Sequence, residues 1–394
     1  MNPRKRDFDD FRLDCPRCTP PIYRRPYRTI SEARNFARKI MAAIYFDINA
    51  ICVNQNNVKN DPESPDIVRY CFESNEAIKL VDEAVMQKVN EVGSSSEGEQ
   101  LNHQQKYIDA FLKRLDWRTL AICAYSSGFR LARREDFEVW EELIEMIWIN
   151  RTSLNLFART RALEFRDLLL RNAKHLPAVR QASEPLRNLA VGNPHLFYQA
   201  STGFLKVPTY EGVAQVPVKS CIFDPKKWNG EEDPTIRTKD DGCCDLCFSK
   251  EICSCTITAS AASLVELSEY QYKGVGVRAL GNFKKGCILD EFIGELYPNG
   301  YDGDPEYSLL HESKSSPKKH CVISPKHLGN WTRFINHSCN PSTVFRKRTI
   351  GKRTMMTVET LRDISIFEEI TIDYGYGYWR NRRCACRAPN CPDF

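Results

Sequence analysis

GNWTRFINHSCNPS, residues 329–342, is the stretch that decides the fold of the C-terminal half of this chain. It is followed by EEITIDYGYGYW at 368–379 and by CACRAPNC at 384–391. Three clusters of uncommon residues thus stand in a fixed order in one part of the chain. Together they indicate a cofactor pocket, a catalytic tyrosine and a metal clasp, which is a narrower prediction than any one motif permits.

The composition is that of a globular protein with two or three domains. The chain has 394 residues, of which 42% are hydrophobic and 27% are charged, so a disordered or fibrous class is excluded. No run of about 18 apolar residues occurs, and the charged N-terminus lacks the apolar core of a secretory signal. We therefore expect a soluble intracellular protein with no membrane partner.

The charge is mildly basic, with a net value of +5 and an isoelectric point near 8.4. This balance fits an acidic partner such as chromatin, but it also fits many enzymes without one. The run Arg4, Lys5 and Arg6 resembles a nuclear import signal, and a short solvated arm is the preferred interpretation. Residues 1–28 are predicted to form this basic flexible arm.

The cysteines indicate metal sites in the C-terminal half. Seventeen are present, an odd number, and twelve of them lie at or after Cys221. Their CxC and CxxC spacings are typical of metal sites more than of a disulfide framework. The isolated pair Cys15 and Cys18 lacks two further ligands nearby, so it is predicted to be two unliganded thiols.

Residues 29–185 are predicted to form an all-helical domain of unknown role that can dock another protein. Thr29 and Glu32 have the spacing of a capping box ahead of the first helix. A stripe with helical periodicity follows at Ile78, Val81, Val85 and Val89. A polar break at 93–100 precedes further long helices, whose Trp, Phe and Ile residues are interpreted as core.

After Pro185 the sequence changes to short β-favouring runs separated by Gly, Pro and Asp. We assign 186–220 to a linker and first strands and expect a β-rich C-terminal half. The fold class is therefore α+β, with a helical domain first.

The block 272–394 resembles the SET domain of protein-lysine methyltransferases, with a terminal segment similar to the post-SET segment of the SUV39-like branch. Five motifs appear in the family's order: KGVGVRAL, DEFIGEL, RFINHSCNP, EEITIDYG and a terminal CxCxxxxC. The resemblance implies a reduced pre-SET-like segment at 221–256, a SET domain at 257–378 with a pseudoknot, and a post-SET zinc segment at 379–394.

The resemblance implies S-adenosylmethionine as cofactor. Gly274 and Gly276 lack side chains, so the backbone at these two positions can turn tightly and approach a ligand closely. The family pattern assigns the cofactor contacts to Lys273, Gly274, Val275, Gly276, Tyr307, Arg333, Phe334, Asn336, His337 and Tyr374. Val275 stands where an aromatic residue is common.

Tyr374 is the predicted catalytic residue. Methyl transfer to an amine is an in-line displacement that needs a neutral, aligned lysine, and a phenol at the end of an apolar channel favours that state. The resemblance places Phe292, Ile372 and Trp379 along the channel. Phe292 stands where many relatives have a channel tyrosine, and Ile372 occupies a Phe/Tyr position, so without those hydroxyls we expect the channel to allow di- or trimethylation.

Two zinc sites are implied. The resemblance assigns Cys339, Cys384, Cys386 and Cys391 as the four ligands of the terminal one. A second site, with its four ligands unspecified, is expected among Cys221, Cys243, Cys244, Cys247, Cys253 and Cys255. Six cysteines accommodate at most one or two ions.

The leading functional hypothesis is a protein-lysine N-methyltransferase that acts on histone tails, in the nucleus on chromosomes and also in the cytoplasm. The alternative is a catalytically silent SET-like zinc scaffold in a chromatin complex. A zinc-dependent nucleic-acid binder ranks third, because the sequence has no concentrated basic stripe and no recognition-helix spacing. No sequence-specific nucleic-acid binding is therefore expected.

Overall fold

The computed structural model describes residues 29–93, 103–185, 193–200, 202–257, 261–301, 308–312, 320–379 and 383–393. Arg4 to Arg6, the Cys15 and Cys18 pair, residues 94–100 of the polar break, and Tyr307 lie outside these ranges. The chain divides into two compact units, with the division between Pro194 and His195.

The first unit is helical. Its helices are α1 (Ile30–Asn60), α2 (Asp66–Gly93), α3 (His103–Arg114), α4 (Trp117–Ala124), α5 (Ser127–Ala132), α6 (Phe137–Thr160), α7 (Phe165–Leu170) and α8 (Pro177–Ser183). The side chain of Thr29 accepts a hydrogen bond from the backbone N–H of Glu32, as the capping box predicts. Within the described ranges, no helix is both long and apolar enough to cross a bilayer.

Aromatic side chains fill the core of the helical unit. Trp140 is fully buried and packs beside Tyr107, Phe111 and Phe129, and its indole N–H donates to the Tyr107 carbonyl at 2.9 Å. The buried carboxylate of Asp47 accepts hydrogen bonds from the hydroxyls and backbone N–H at the start of α5. These aromatic residues are thus core, as the sequence indicated.

The second unit is built from short strands, which confirms the predicted α+β class. They are β1 (Tyr198–Gln199), β2 (Leu205–Lys206), β3 (Thr209–Tyr210), β4 (Val213–Ala214), β5 (Val216–Pro217), β6 (Val265–Tyr270), β7 (Gly274–Ala279), β8 (Ile288–Glu291), β9 (Glu295–Pro298), β10 (Leu309–His311), β11 (Cys321–Ser324), β12 (Leu328–Gly329), β13 (Asn336–His337), β14 (Thr343–Ile350), β15 (Arg353–Thr360) and β16 (Glu369–Ile372). β-branched residues are frequent in the longer strands, as expected for half-buried sheet positions.

The main sheet has the strand order β2-β1-β6-β7-β16-β14-β15-β8, and β13 also pairs with β16. Smaller sheets are formed by β10-β11-β9, by β12-β5 and by β3-β4. The parallel pairing of β13 with β16 sets Asn336 opposite Thr371 and His337 opposite Ile372. This pairing brings the two most distinctive motifs of the sequence side by side.

Candidate active site

The candidate site begins where β7, β13 and β16 meet. Strand β7 carries Gly276, β13 carries Asn336, and β16 carries Glu369 beside β7. A Cβ atom at Gly276 would lie 2.4 Å from Nδ2 of Asn336 and 2.8 Å from Cδ2 of Tyr270. Glycine is therefore required here because the side chains of Asn336 and Tyr270 occupy the space above it.

Glu369 fixes the orientation of the Asn336 amide. One carboxylate oxygen accepts from Nδ2 of Asn336 at 3.0 Å, and the other accepts from Nζ of Lys273 at 2.7 Å. Because the amide NH₂ group faces the carboxylate, its orientation is determined by the network. Sequence reasoning missed Glu369, since its role depends on the pairing of β16 with both neighbours.

Tyr374 lies directly after β16 and is held at both ends. Its hydroxyl donates to the carbonyl of Ile335 at 2.8 Å, and its backbone N–H donates to Nδ1 of His337 at 3.1 Å. The ring of Trp379 is nearly parallel to that of Tyr374, with centroids 6.4 Å apart, and Tyr378 packs edge-on at 4.8 Å. These contacts leave the phenol little rotational freedom. Tyr378 was not identified from the sequence.

The other predicted channel residues are apolar and buried. Phe292 follows β8 and packs edge-to-face against Phe345 with centroids 4.9 Å apart, while Ile372 ends β16. Arg333 is also buried. Its guanidinium donates to the Lys326 carbonyl at 2.7 Å and lies 5.0 Å from the ring of Phe334, so it supports the loop that precedes Asn336.

Two carboxyl groups lie on β8 immediately before Phe292. Burial raises the pKa of Asp290 to about 6, although its side chain accepts a hydrogen bond from the indole of Trp331 at 2.6 Å. Burial likewise raises the pKa of Glu291 to about 7, which the charge of Arg353 partly opposes. Both carboxyls therefore lose their protons near neutral pH, well above the pH at which an exposed carboxyl does so.

The terminal cysteines meet the NHSC motif. The side-chain ligand atoms of His337, Cys339, Cys384 and Cys386 all lie within 4.8 Å of one another. Burial and the thiols of Cys386, Cys391 and Cys384 raise the pKa of Cys339. Although burial opposes it, backbone N–H groups lower the pKa of Cys386 to about 7. The cluster thus combines crowded thiols with one that ionises readily.

His337 is one of the four ligand-capable side chains of this cluster, and the predicted ligand Cys391 lies outside the four, although its thiol interacts with that of Cys339. Its Nδ1 accepts the N–H of Tyr374, so the ring proton belongs on Nε2 in the neutral form. Nε2 lies 3.4 Å from the sulfur of Cys339, where an N–H can donate to a thiolate. Burial lowers the pKa of His337, which favours this neutral ring. The geometry suits a supporting donor better than a metal ligand.

A second group is formed by Cys244, Cys247, Cys253 and Cys255, whose sulfur atoms lie within 4.8 Å of one another. Cys221 lies elsewhere, buried with its sulfur 3.9 Å from a carboxylate oxygen of Glu291. Cys243 is exposed and lies outside the group. The structure therefore selects four of the six cysteines that the sequence left open.

This second cysteine group is anchored to the turn between β14 and β15. The fully buried Arg237 donates to five carbonyls, those of Gly242, Ser249, Lys250, Glu251 and Gly351, at 2.8 to 3.3 Å. Gly351 has a φ of +59°, and a Cβ atom there would lie 2.1 Å from the carbonyl oxygen of Cys255. The loop and the turn are thus in backbone contact.

The family model of the SET domain matches residues 274–375. The chain carries a SET domain. The match begins at the first residue of β7 and ends directly after Tyr374, so it contains every element of the three-strand junction.

Several curated proteins are similar to this SET domain. "Histone-lysine N-methyltransferase, H3 lysine-36 specific" of Debaryomyces hansenii is 32% identical over 136 residues, which cover 32% of this chain and 18% of the relative. The human protein of the same name is 28% identical over 174 residues, which cover 41% of this chain and 6% of the relative. "Variant-silencing SET domain-containing protein" of Plasmodium falciparum is 30% identical over 145 residues, which cover 33% of this chain and 6% of the relative. The chain spans less than a fifth of the length of these relatives.

SET methyltransferases use S-adenosylmethionine, and the residues of this site fit a polar ligand. The Tyr270 hydroxyl and the Trp379 indole N–H are both buried, and neither has a hydrogen-bond partner among the residues that the structure describes. Buried donors are normally paired, so an external partner is expected at each.

Proposed function

We propose that this chain is an S-adenosylmethionine-dependent protein-lysine N-methyltransferase. The observation that carries the proposal is the junction of Gly276, Asn336 and Tyr374 within the matched SET domain. A catalytically silent scaffold is less well supported, because the phenol and the amide are held by specific hydrogen bonds.

The proposed cofactor supplies an electrophilic methyl group on a sulfonium. Asn336, oriented by Glu369, would hold its amino-acid portion together with the backbone around Gly276. Lys273, Gly274, Val275, Arg333, Phe334, His337 and Tyr307 remain predicted contacts or supports. Because Asn336 and Tyr374 are held by hydrogen bonds to Glu369 and Ile335, little conformational entropy would be lost on binding.

Tyr374 would act on the incoming lysine. The walls of Phe292, Ile372 and Trp379 exclude water and disfavour the ammonium form, so the amine loses its proton to solvent before the transfer. The Tyr374 hydroxyl donates a hydrogen bond to the Ile335 carbonyl, and because a phenol oxygen can also accept, we expect it to accept an N–H of the neutral amine. This contact would aim the nitrogen lone pair along the channel.

We also propose zinc in both cysteine groups. In the terminal site the ligands would be Cys339, Cys384, Cys386 and Cys391, with His337 donating to the Cys339 thiolate. In the second site they would be Cys244, Cys247, Cys253 and Cys255. Four thiolates at close range are the ligand set of structural zinc.

Histone tails are the proposed substrate class, and the nucleus is the proposed location. The support is the printed names of the relatives, two of which specify lysine 36 of histone H3. The domain boundaries predicted from the sequence and the docking role of the helical unit are also retained as proposals. Because Phe292 and Ile372 bring no hydroxyl into the channel, more than one methyl group is expected per lysine.

The test is methyl transfer from labelled cofactor to core histones and to nucleosomes, with mass spectrometry of the products. We expect Tyr374→Phe to lower the rate by about 100-fold or more, as for other positioned donors at a reacting centre. Tyr376→Phe is the matched control, because Tyr376 is 84% exposed in the same segment. Equal labelling by wild type and Tyr374→Phe would remove Tyr374 from its role. A wild-type protein that binds no cofactor would instead favour the scaffold.

A further inference from the structure

Tyr270 lies at the end of β6, just before the glycine turn, and was not singled out in the sequence. Its side chain is largely buried, and the hydroxyl has no hydrogen-bond partner in the described part of the chain. The ring lies against Gly276, with Cδ2 only 2.8 Å from the position that a Cβ atom would take. Tyr270 and Asn336 therefore cover the same glycine.

The polar groups nearest to Tyr270 are engaged with other partners. The Glu369 carboxylate holds Asn336 and Lys273 at 3.0 and 2.7 Å, and Glu266 holds Arg278. Burial and the charge of Glu369 raise the pKa of Tyr270, so its phenol remains protonated. The hydroxyl is thus a donor that points to no acceptor within the described residues.

A phenylalanine would fill the same space without burying a hydroxyl. Burial of an unpaired donor destabilises the fold, so a tyrosine at this position indicates an acceptor supplied from outside the chain. The acceptor would lie beside Asn336 and Lys273, whose ammonium is paired with Glu369 and lies 6.0 Å from the centre of the Tyr270 ring. An anionic oxygen suits this position.

We propose that the Tyr270 hydroxyl donates a hydrogen bond to the carboxylate at the amino-acid end of S-adenosylmethionine. This inference rests on the proposed function, because it requires the amino-acid end of the cofactor to lie beside Asn336 and Tyr270. Tyr270 would then discriminate the intact cofactor from adenosine derivatives that lack the amino-acid portion.

The test is calorimetric binding to the full chain of S-adenosylhomocysteine and of methylthioadenosine, which lacks the amino-acid end. We expect Tyr270→Phe to weaken S-adenosylhomocysteine binding about 10- to 100-fold, the range for a hydrogen bond to a charged group. Affinity for methylthioadenosine should change less than about twofold. Tyr272→Phe is the control, since Tyr272 is 66% exposed two residues away.

The melting temperature of the ligand-free protein separates a binding role from a structural one. Tyr270→Phe should melt at or above the wild-type temperature, because it removes an unpaired buried hydroxyl. A lower melting temperature, or unchanged affinity for S-adenosylhomocysteine, would overturn the proposal, and so would an equal loss for both ligands. A wild-type chain that binds neither ligand would refute the proposed function, and this inference with it.

Discussion

Substitution of Gly276 by alanine is the sharpest test of the three-strand junction. The new Cβ atom would lie 2.4 Å from Nδ2 of Asn336, whereas an ordinary contact is about 3.5 Å. The ring of Tyr270, at 2.8 Å, blocks the other side. The Asn336 side chain must therefore move by about 1 Å, because the backbone of β7 is held in the sheet.

The magnitude follows from the contacts that this movement breaks. Asn336 would lose its 3.0 Å hydrogen bond to Glu369, and its amide would no longer have the orientation proposed for binding the cofactor. A hydrogen bond that involves a charged group contributes about 1.5–3 kcal/mol, which corresponds to roughly 10- to 150-fold in affinity. We therefore expect the dissociation constant of S-adenosylhomocysteine, measured by calorimetry, to rise by that factor.

Gly286→Ala is the matched control for general loss of stability. Gly286 has a φ of +84° and open space around it, so alanine there should cost about 1 kcal/mol of unfolding free energy without touching the site. Cofactor affinity should remain at the wild-type value. If folded Gly276→Ala protein bound S-adenosylhomocysteine as tightly as wild type, the proposed role of Asn336 as a cofactor ligand would be refuted.

Three further predictions concern stability and metal content. Arg237→Lys should lower the unfolding free energy by about 3 kcal/mol in denaturant titrations, since an ammonium cannot reach five carbonyls, and an unchanged midpoint would contradict this. Glu291 has a raised folded-state pKa, so its contribution falls as pH rises from about 4.5 to 7, by up to about 3 kcal/mol. Glu291→Gln should flatten this decline, and parallel stability curves for both proteins would refute it. Cys253→Ser and Cys384→Ser should each lower the number of bound zinc ions from two to one, as counted by native mass spectrometry. A variant that retains both ions would exclude its substituted cysteine as a ligand.

Local signals predicted much of the fold. The capping box at Thr29 and Glu32 marks the start of α1, and each β-favouring run after Pro185 contains a strand. The apolar stripe of α2 was predicted in part: Val81 and Val85 are fully buried, whereas Ile78 and Val89 are only partly buried. Ala77, Leu80 and Ala84 complete the buried face. The periodicity was read from large apolar residues and so missed the alanines, although helix packing favours small residues at close contacts.

The site was only partly predictable, and the reason is long-range register. The motifs identified Asn336 and Tyr374 because their residue types are unusual in that order. Glu369, Tyr270 and Arg237 are common residues whose roles exist only after distant segments have paired. The choice among the six upstream cysteines likewise depends on loop geometry, which spacing alone does not determine.

The parallel pairing of β13 with β16 also has a consequence for the order of folding. About 35 residues separate Asn336 from its partner Thr371, and the β14–β15 hairpin forms between them. The hairpin is local and can form early, whereas β13 has no partner strand until β16 has been synthesised and docked. At about 5–20 residues per second, the ribosome exposes the NHSC loop for several seconds before its pocket can close. During that interval the thiol of Cys339 is open to oxidation, so a reducing environment protects this step of biogenesis.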